Sequence, residues 1–144
     1  MTKLIHECTL LHVEDDDTTA YLFHLALQQI GVWLQFVRVA DGEQAMAFLL
    51  QNGPYSSASR PDLVLLDLNL PRKCGLDVLS EIKSNPKLRA IKVVVFSASP
   101  FPDDREKSLK LGADCYLPKD GRFEAFVMVA KLVCQKLTAE QGTG

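Results

Sequence analysis

The sequence lacks the features that would assign it to a membrane, secreted or nucleic-acid-binding class. No apolar run in its 144 residues approaches the roughly 20 that a membrane-spanning helix needs, and segment 1–7 has no apolar signal-peptide core. A net charge of −2 gives no electrostatic reason to bind nucleic acid or an anionic membrane. The four cysteines form no CxxC pair and no metal-ligand spacing. We therefore expect a cytoplasmic protein whose cysteines are reduced.

The composition is that of a single domain with a substantial core. Apolar residues make up 47% of the chain and charged residues 24%, both near the usual values for globular proteins. No internal repeat or low-complexity tract is present, and nothing marks a second domain. We predict one domain over residues 8–137, preceded by an N-terminal extension (1–7) and followed by a polar tail (138–144).

Apolar runs alternate with helical patterns five times, which is typical of strand–helix units around a mostly parallel sheet. Strands are predicted at about Cys8–Val13, Leu34–Val39, Leu63–Leu66, Val93–Phe96 and Cys115–Leu117. Helices are predicted between and after them, with Asp16 or Asp17 capping the first and Asp41 capping the second. The fourth helix, about Asp104–Leu111, carries few apolar residues, and we expect it to be loosely held.

Four of the predicted strands end at residues suited to handling a phosphoryl group bound to a metal ion. These residues are Glu14 and Asp15, then Asp67, then Ser97, and finally Lys119. In an open parallel sheet the carboxyl ends of the strands lie along one edge, where ligands bind. Clustered carboxylates repel one another unless a cation or protons neutralise them. The pattern therefore predicts a hard divalent ion at this edge.

Several of these segments resemble the response-regulator receiver domains of two-component signalling. The stretch Asp67-Leu68-Asn69-Leu70-Pro71, with Gly75 four residues further on, resembles the phosphoacceptor segment of that family. Three further blocks agree with the family in kind and order: Val13-Glu14-Asp15-Asp16, Ser97-Ala98, and Tyr116 three residues before Lys119. The resemblance covers about residues 8–137 and implies a doubly wound, flavodoxin-like sheet of five parallel strands in the order 2-1-3-4-5.

A finer resemblance concerns the segment before the third strand. The loop Gly53–Pro61 is long for such a connection. Together with the lead Ser59-Arg60-Pro61-Asp62, it looks most similar to stand-alone receivers that partner phytochrome-type histidine kinases. The resemblance therefore implies a sensor histidine kinase as partner.

The resemblance also implies the chemistry of the acidic residues. Asp67 would be the nucleophile that takes a phosphoryl group from the phosphohistidine of the kinase. Mg²⁺ would be held by Glu14, Asp15, Asp67 and the backbone carbonyl of Asn69, since this ion prefers oxygen ligands and uses few protein carboxylates. The chain would catalyse only its own phosphorylation and dephosphorylation.

Ser97 and Lys119 would contact the oxygens of the bound phosphoryl group. Tyr116 would change rotamer when Ser97 moves, although a tyrosine at this place could simply pack. The chain departs from the family at Asp120, where most members have a proline whose cis peptide bond aims the lysine. A cis bond before a non-proline residue costs about 2.5–4 kcal/mol. Either this bond is trans and Lys119 arrives by another path, or the cost is borne.

The output implied by the family is contact with a downstream protein. The last helix, about Arg122–Leu137, has more apolar arc than a core-facing stripe needs. Its apolar residues include Phe123, Phe126, Val127, Val129, Ala130, Leu132 and Val133. We expect the fourth helix, fifth strand and last helix to carry a partner or homodimer surface. Alternatively, the last helix lies deep and its extra apolar residues cover the sheet edge.

A second candidate function is a Mg²⁺-dependent phosphatase or phosphotransferase with an aspartyl nucleophile. The haloacid-dehalogenase-like form of such enzymes has a second Asp two residues after the nucleophile, where it serves as general acid. This chain has Asn69 at that place, and an amide cannot act as a general acid. The sequence therefore favours the receiver function.

Overall fold

Regular elements take up most of the chain. The computed structural model describes residues 4–139, so the predicted extension (1–7) and tail (138–144) lie partly outside the described residues. Within residues 4–139 the strands are β1 (Thr9–Val13), β2 (Gln35–Val39), β3 (Leu63–Leu66), β4 (Lys92–Ser97) and β5 (Cys115–Pro118). The α-helices are α1 (Asp17–Gln29), α2 (Gly42–Leu49), α3 (Gly75–Ser84), α4 (Asp104–Lys110) and α5 (Phe123–Thr138).

The strands of the described chain form a single parallel sheet in the order β2-β1-β3-β4-β5. This confirms the predicted doubly wound, flavodoxin-like topology. The register aligns the strand ends, because Val13 lies beside both Val39 and Leu66. Ser97, the last residue of β4, lies beside Pro118 of β5. Residues that follow these strands therefore start from one edge of the sheet.

Helices cover both faces of the sheet. On one face α1 and α5 pack against Leu63 and Leu65, while on the other α2 and α3 pack against Val64 and Leu66. All of β3 is consequently buried, which explains its uninterrupted apolar sequence. Each fully buried side chain of this size stabilises the fold by about 1.5–3 kcal/mol. Within residues 4–139, no helix has both the length and the apolar character needed to cross a membrane.

Aspartate side chains cap the N-termini of α1 and α2. Asp16 caps α1 by accepting from the Thr19 N–H at 2.8 Å, and Asp41 caps α2 by accepting from the Gln44 N–H at 2.8 Å. A side-chain cap of this kind contributes about 1 kcal/mol. Of the two residues predicted as caps for α1, Asp16 is the one that serves.

Helix α5 buries most of its wide apolar arc. Val129, Ala130 and Val133 are fully buried among residues of the sheet and α1. The remaining apolar residues named above are buried or half-buried, so the alternative in which they cover the sheet agrees with the structure. Among the residues of α5, the large apolar side chain with the greatest exposure is Met128, at 61%. The premise that the arc leaves a broad apolar surface outside the core is therefore not met.

Helix α4 buries polar rather than apolar groups. Asp104 and Ser108 are its buried residues, whereas Leu109 is 40% exposed. Asp104 accepts a hydrogen bond from the Ser99 hydroxyl in the preceding loop. The helix therefore has little apolar burial, as its composition predicts, and is held partly by a polar contact.

Candidate functional site

Main-chain hydrogen bonds hold the predicted site residues at the carboxyl edge of the sheet. The Glu14 N–H donates to the Val39 carbonyl at 3.0 Å, and the Asp67 N–H donates to the Val13 carbonyl at 3.1 Å. The Lys119 N–H likewise donates to the carbonyl of the last residue of β4, at 3.0 Å. Each bond continues the strand pairing one step beyond the strand end. The side chains therefore leave from backbone that the sheet holds in place.

Four side chains from four strand ends form one bonded network. The Lys119 ammonium lies 2.6 Å from Glu14 Oε1 and 3.0 Å from Asp67 Oδ2. The Ser97 hydroxyl donates to the other oxygen of Asp67, Oδ1, at 2.9 Å. Both carboxylates are buried, with Glu14 only 1% exposed. The structure thus brings together residues that are up to 105 positions apart in the chain.

The carboxylates also meet within reach of a single ion. Glu14, Asp15 and Asp67 each offer an oxygen, and these oxygens lie within 4.8 Å of one another. Asp15 is exposed, so the cluster opens to solvent on its side. Asn69 lies in the adjoining loop, where its N–H donates to Asp67 Oδ1 at 3.1 Å. This set of oxygen donors suits Mg²⁺ or another hard divalent ion.

Burial and neighbouring charges shift the pKa values of Glu14 and Lys119. Burial raises the pKa of Glu14 to about 7, an effect that Lys119 partly offsets and the charge of Asp67 reinforces. Burial acts to lower the pKa of Lys119, but the charges of Asp67 and Glu14 outweigh it and raise that pKa. Lys119 therefore stays charged near neutral pH, and Glu14 takes up a proton as the pH falls through about 7. A bound cation would compete with that proton.

A glycine behind the acceptor explains the spacing of the Asp67–Gly75 segment. A Cβ atom added to Gly75 would overlap the carbonyl oxygen of Asp67 and lie 2.5 Å from Leu68 Cα. The Gly75 N–H donates to the Leu68 carbonyl at 3.0 Å. The start of α3 therefore packs against the backbone of the acceptor, and a larger residue would push the two apart.

The peptide bond after Lys119 settles one question left by the sequence. Within residues 4–139 no peptide bond is cis, so Lys119 and Asp120 are joined in trans. The lysine still reaches both carboxylates. Its route to the site therefore does not depend on the proline that most family members have at this place.

Arg38 is a site residue that the sequence does not reveal. Its Nε donates to the backbone carbonyl of Glu14 at 3.0 Å, and its Nη1 pairs with Asp17 at 2.7 Å. It thereby ties the loop after β1 to β2. Its only sequence signal is a charge inside a mostly apolar strand segment, which is equally typical of an exposed edge.

Aromatic and imidazole rings lie beneath the charged network. His12 is 3% exposed and packs edge-on against Phe23 with ring centres 5.0 Å apart. Burial, with the charges of Lys119 and Arg38, lowers the pKa of His12 to about 3, so this histidine is neutral. It is a core residue, in agreement with its lack of ligand spacing.

Tyr116 lies outside the bonded network, on the α4 side of the sheet. It is half-buried in β5, and burial together with the charges of Asp104 and Asp67 raises its pKa. It lines a groove of about 520 Å³. The other lining residues are Ser99, Pro100, Phe101, Pro102, Arg105, Leu117 and Pro118.

Known proteins resemble this chain in both sequence and structure. Residues 10–131 match the response regulator receiver domain family. Response regulator Rcp1 of Synechocystis sp. is 44% identical over 110 residues, which are 76% of this chain and 75% of Rcp1.

Two solved structures extend the similarity to nearly the whole chain. The phosphorylated cyanobacterial phytochrome response regulator RcpA gives a TM-score of 0.83 at 41% identity, covering 94% of this chain and 96% of that one. The Mn²⁺-bound form of Rcp1 gives a TM-score of 0.84 at 36% identity, covering 95% of this chain and 99% of that one. The chain therefore belongs to the response regulator receiver family, whose members are signalling switches controlled by phosphorylation.

Proposed function

We propose that Asp67 accepts the phosphoryl group of a sensor histidine kinase. The observation that supports this most is the bonded network around its carboxylate. Ser97 and Lys119 approach opposite oxygens of Asp67, at 2.9 and 3.0 Å. A phosphoryl group transferred to Asp67 would thus have a hydroxyl donor and an ammonium group close at hand.

The residues around Asp67 would contribute to phosphoryl transfer by positioning the reacting groups and by neutralising charge. An ionised carboxylate needs no general base to attack phosphorus. As the bond from Asp67 oxygen to phosphorus forms, the nitrogen–phosphorus bond of the phosphohistidine breaks. Lys119 then pairs with one phosphoryl oxygen, and the Ser97 hydroxyl donates to another. In this proposal the chain catalyses only its own phosphorylation and dephosphorylation.

Mg²⁺ is the proposed cofactor. Glu14, Asp15 and Asp67, with the backbone carbonyl of Asn69, would hold it. When bound, the ion supplies positive charge that offsets the charge developing on the transferred group. The three clustered carboxylates support this proposal, as does the relative Rcp1, whose solved structure is described as Mn²⁺-bound.

The proposed donor is a phytochrome-type histidine kinase. The similar protein RcpA is described as a cyanobacterial phytochrome response regulator, and it shares 41% identity with this chain. Such kinases draw their phosphoryl group from ATP, so the proposal implies a cytoplasmic location. Phosphotransfer from a phytochrome kinase, compared with transfer from an unrelated sensor kinase, would test the partner class.

The proposed output is contact with a downstream protein or a second copy through α4, β5 and α5. Tyr116 and Arg105 line the groove between α4 and β5, and Phe101 beside them is 65% exposed. Movement of Ser97 toward the phosphoryl group would free space for Tyr116 to change rotamer. Phosphorylation would then shift the population of an existing conformation.

Labelling with a small phosphodonor tests the acceptor. With Mg²⁺ and acetyl phosphate, the parent protein should gain one phosphoryl mass and Asp67→Asn none. Asp77→Asn, which changes an exposed aspartate of α3, is the matched control and should label as the parent does. A chelator should stop the reaction. Labelling of Asp67→Asn at the parental level would refute the assignment, and turnover of small phosphoesters would favour the phosphatase alternative.

Sedimentation tests the output surface. Met128→Glu is the suitable variant of α5, since Met128 is exposed, whereas Val129→Glu would place a charge in the core. Parent and Met128→Glu should be compared with and without a phosphoryl mimic, together with Phe101→Glu. If both variants match the parent in self-association and target binding, the output surface lies elsewhere.

A further inference from the structure

The loop that joins β3 to α3 (residues 68–74) rests against the first turn of α2. Gly42 is the first residue of that helix and is buried. A Cβ atom added there would overlap the Lys73 carbonyl oxygen and lie 2.7 Å from Lys73 Cβ. Helix and loop are therefore closer than any side chain at this position would permit. The first turn of α2 consequently limits where the loop backbone at Lys73 can lie.

An ion pair reinforces the same contact. Arg72 has a positive φ of 68°, and its Nε lies 3.3 Å from Asp41 Oδ2. Asp41 is 6% exposed, and its other oxygen accepts from the Gln44 N–H to cap α2. One carboxylate thus caps the helix and pairs with the loop. The Arg72 side chain is 66% exposed, so the close packing of Gly42 on Lys73 is the stronger part of this contact. Arg72 adopts a backbone conformation that non-glycine residues seldom take, which indicates that its surroundings impose it.

The near half of this loop carries a proposed metal ligand, the carbonyl of Asn69. Within the loop, the main-chain hydrogen bonds span two residues: the Leu70 N–H donates to Leu68 at 3.2 Å and the Lys73 N–H to Pro71 at 2.8 Å. The near half of the loop is also anchored, because the Asn69 N–H donates to Asp67 Oδ1 at 3.1 Å. Among these bonds, none ties the stretch 70–73 to the sheet, and it is this stretch that rests against α2. Pro71 fixes one φ angle between Asn69 and the α2 contact, so the backbone between them has fewer ways to absorb a displacement at Lys73.

We propose that Asp41 and Gly42 are positioning residues for the divalent ion. They hold the far half of the loop against α2, and so set where the Asn69 carbonyl lies and how tightly the ion binds. The inference rests on the proposed function, because it takes that carbonyl as a ligand. Neither residue touches the ion; both act through the loop backbone.

Binding of Mn²⁺ alone, followed by the electron paramagnetic resonance of the free ion, tests the proposal. We expect Gly42→Ala to weaken Mn²⁺ binding about tenfold, at the lower end of what loss of ligand-orienting contacts costs. Glu43→Asp, at the next and exposed position of α2, keeps the charge, is the matched control and should leave the affinity unchanged. Asp41→Ser keeps a capping oxygen while removing the ion pair, and Arg72→Gln removes the pair from the loop side.

The opposite charges of Asp41 and Arg72 allow an effect on loop position to be distinguished from a general electrostatic effect on cation binding. Loss of the Arg72 charge would by itself strengthen cation binding, and loss of the Asp41 charge would weaken it. Positioning predicts that Asp41→Ser and Arg72→Gln both weaken Mn²⁺ binding, and that the double variant is no weaker than the poorer single variant. Opposite effects of the two single variants would overturn the proposal.

Thermal unfolding in a chelator distinguishes the remaining outcomes. A lower midpoint for Gly42→Ala with parental Mn²⁺ affinity would mean that the contact only supports the fold, and would overturn the inference while leaving the proposed function intact. A parent protein that binds no Mn²⁺ would overturn the metal site itself. If Gly42→Ala does not fold, Asp41→Ser and Arg72→Gln decide the question.

Discussion

The two halves of the site differ in how their side chains are held. In the inner half, Glu14, Asp67 and Lys119 are largely buried and joined by direct bonds of 2.6 and 3.0 Å. In the outer half, made of the loop after β4, α4 and Tyr116, the surface is grooved and Phe101 is 65% exposed. Acid–base and phosphoryl chemistry needs fixed distances, whereas a response to that chemistry needs an element that moves at small cost.

Ser97 belongs to both halves. Its hydroxyl bonds to Asp67, and its backbone ends β4 where the outer loop begins. If Ser97 moved toward a phosphoryl group on Asp67, the loop after β4 would therefore be displaced with it. The difference between the halves therefore indicates how a local change of charge could alter the surface, and four measurements test it.

The largest effect is expected from removing the shared counter-charge. Lys119→Met would leave Glu14 and Asp67 buried together without a cation, and we expect the free energy of unfolding in a chelator to fall by about 3 kcal/mol. The matched variant Lys107→Met, on the exposed side of α4, should change it by less than about 0.5 kcal/mol. Urea denaturation measures both. Equal losses of unfolding free energy in the two variants would mean that the charges of the inner half contribute no more to stability than an exposed charge of the outer half.

A pH effect of up to about 3 kcal/mol is expected from Glu14, since a pKa change of one corresponds to about 1.4 kcal/mol. Its pKa is raised from 4.5 to about 7 on folding, so between these values the folded state binds more protons than the unfolded state. Stability in a chelator should therefore fall as the pH rises from about 4.5 to about 7. Glu14→Gln lacks this slope and should be the more stable protein at pH 7.5.

The His12 imidazole gives a slope of opposite sign, and comparison of parent with Glu14→Gln removes it. The pKa of His12 is lowered from 6.5 to about 3, so its contribution to stability is lost as the pH falls below about 6.5. This contribution is present in both proteins. Parallel pH curves for parent and Glu14→Gln would contradict the buried, proton-binding character of Glu14.

A smaller, stabilising effect is expected from Asp15→Ala. Removing this exposed carboxylate relieves repulsion with Glu14 and Asp67, and the thermal midpoint in a chelator should rise by roughly 3 °C. Mg²⁺ should stabilise the parent more than the variant. Asp67→Ala tests the same repulsion less cleanly, because Asp67 also accepts from Ser97, Lys119 and Asn69. A clear drop for Asp15→Ala would indicate a structural carboxylate.

The smallest effect on global stability is expected in the outer half. Ser99→Ala removes the hydroxyl that donates to Asp104, and the free energy of unfolding should fall by less than about 1 kcal/mol. Hydrogen exchange should nevertheless be roughly fivefold faster for the α4 amides and unchanged for β1 and β3. Uniform acceleration across the chain would mean that α4 does not open separately.

Much of the site could be predicted because its signals are local. Glu14, Asp67, Ser97 and Lys119 each follow an apolar run, and parallel strands necessarily bring such positions to one edge. Arg38 gave no comparable signal, since its partner is a backbone carbonyl on another strand. No sequence rule identifies which main-chain oxygen a distant arginine will reach.

Helix α5 marks a second limit of sequence patterns. Met128 and Val129 are adjacent apolar residues, yet one is 61% exposed and the other fully buried. A wide apolar arc predicts burial without saying how much of the arc the neighbours cover. That depends on the spacing of α5 from α1 and the sheet, which no short segment encodes.

Sequence patterns alone predict the order of strands and helices along the chain, a cap for α1 at Asp16 or Asp17, the cap of α2 at Asp41, and the residues at the strand ends. These follow from periodicity and from hydrogen bonds between near neighbours in the chain. The folded chain was needed to show that Asp16 is the residue that caps α1, that Lys119 lies between Glu14 and Asp67, and that Gly42 touches Lys73. The contacts of Lys119 and Gly42 join segments far apart in sequence, and their distances arise only when the whole sheet and its helices pack together.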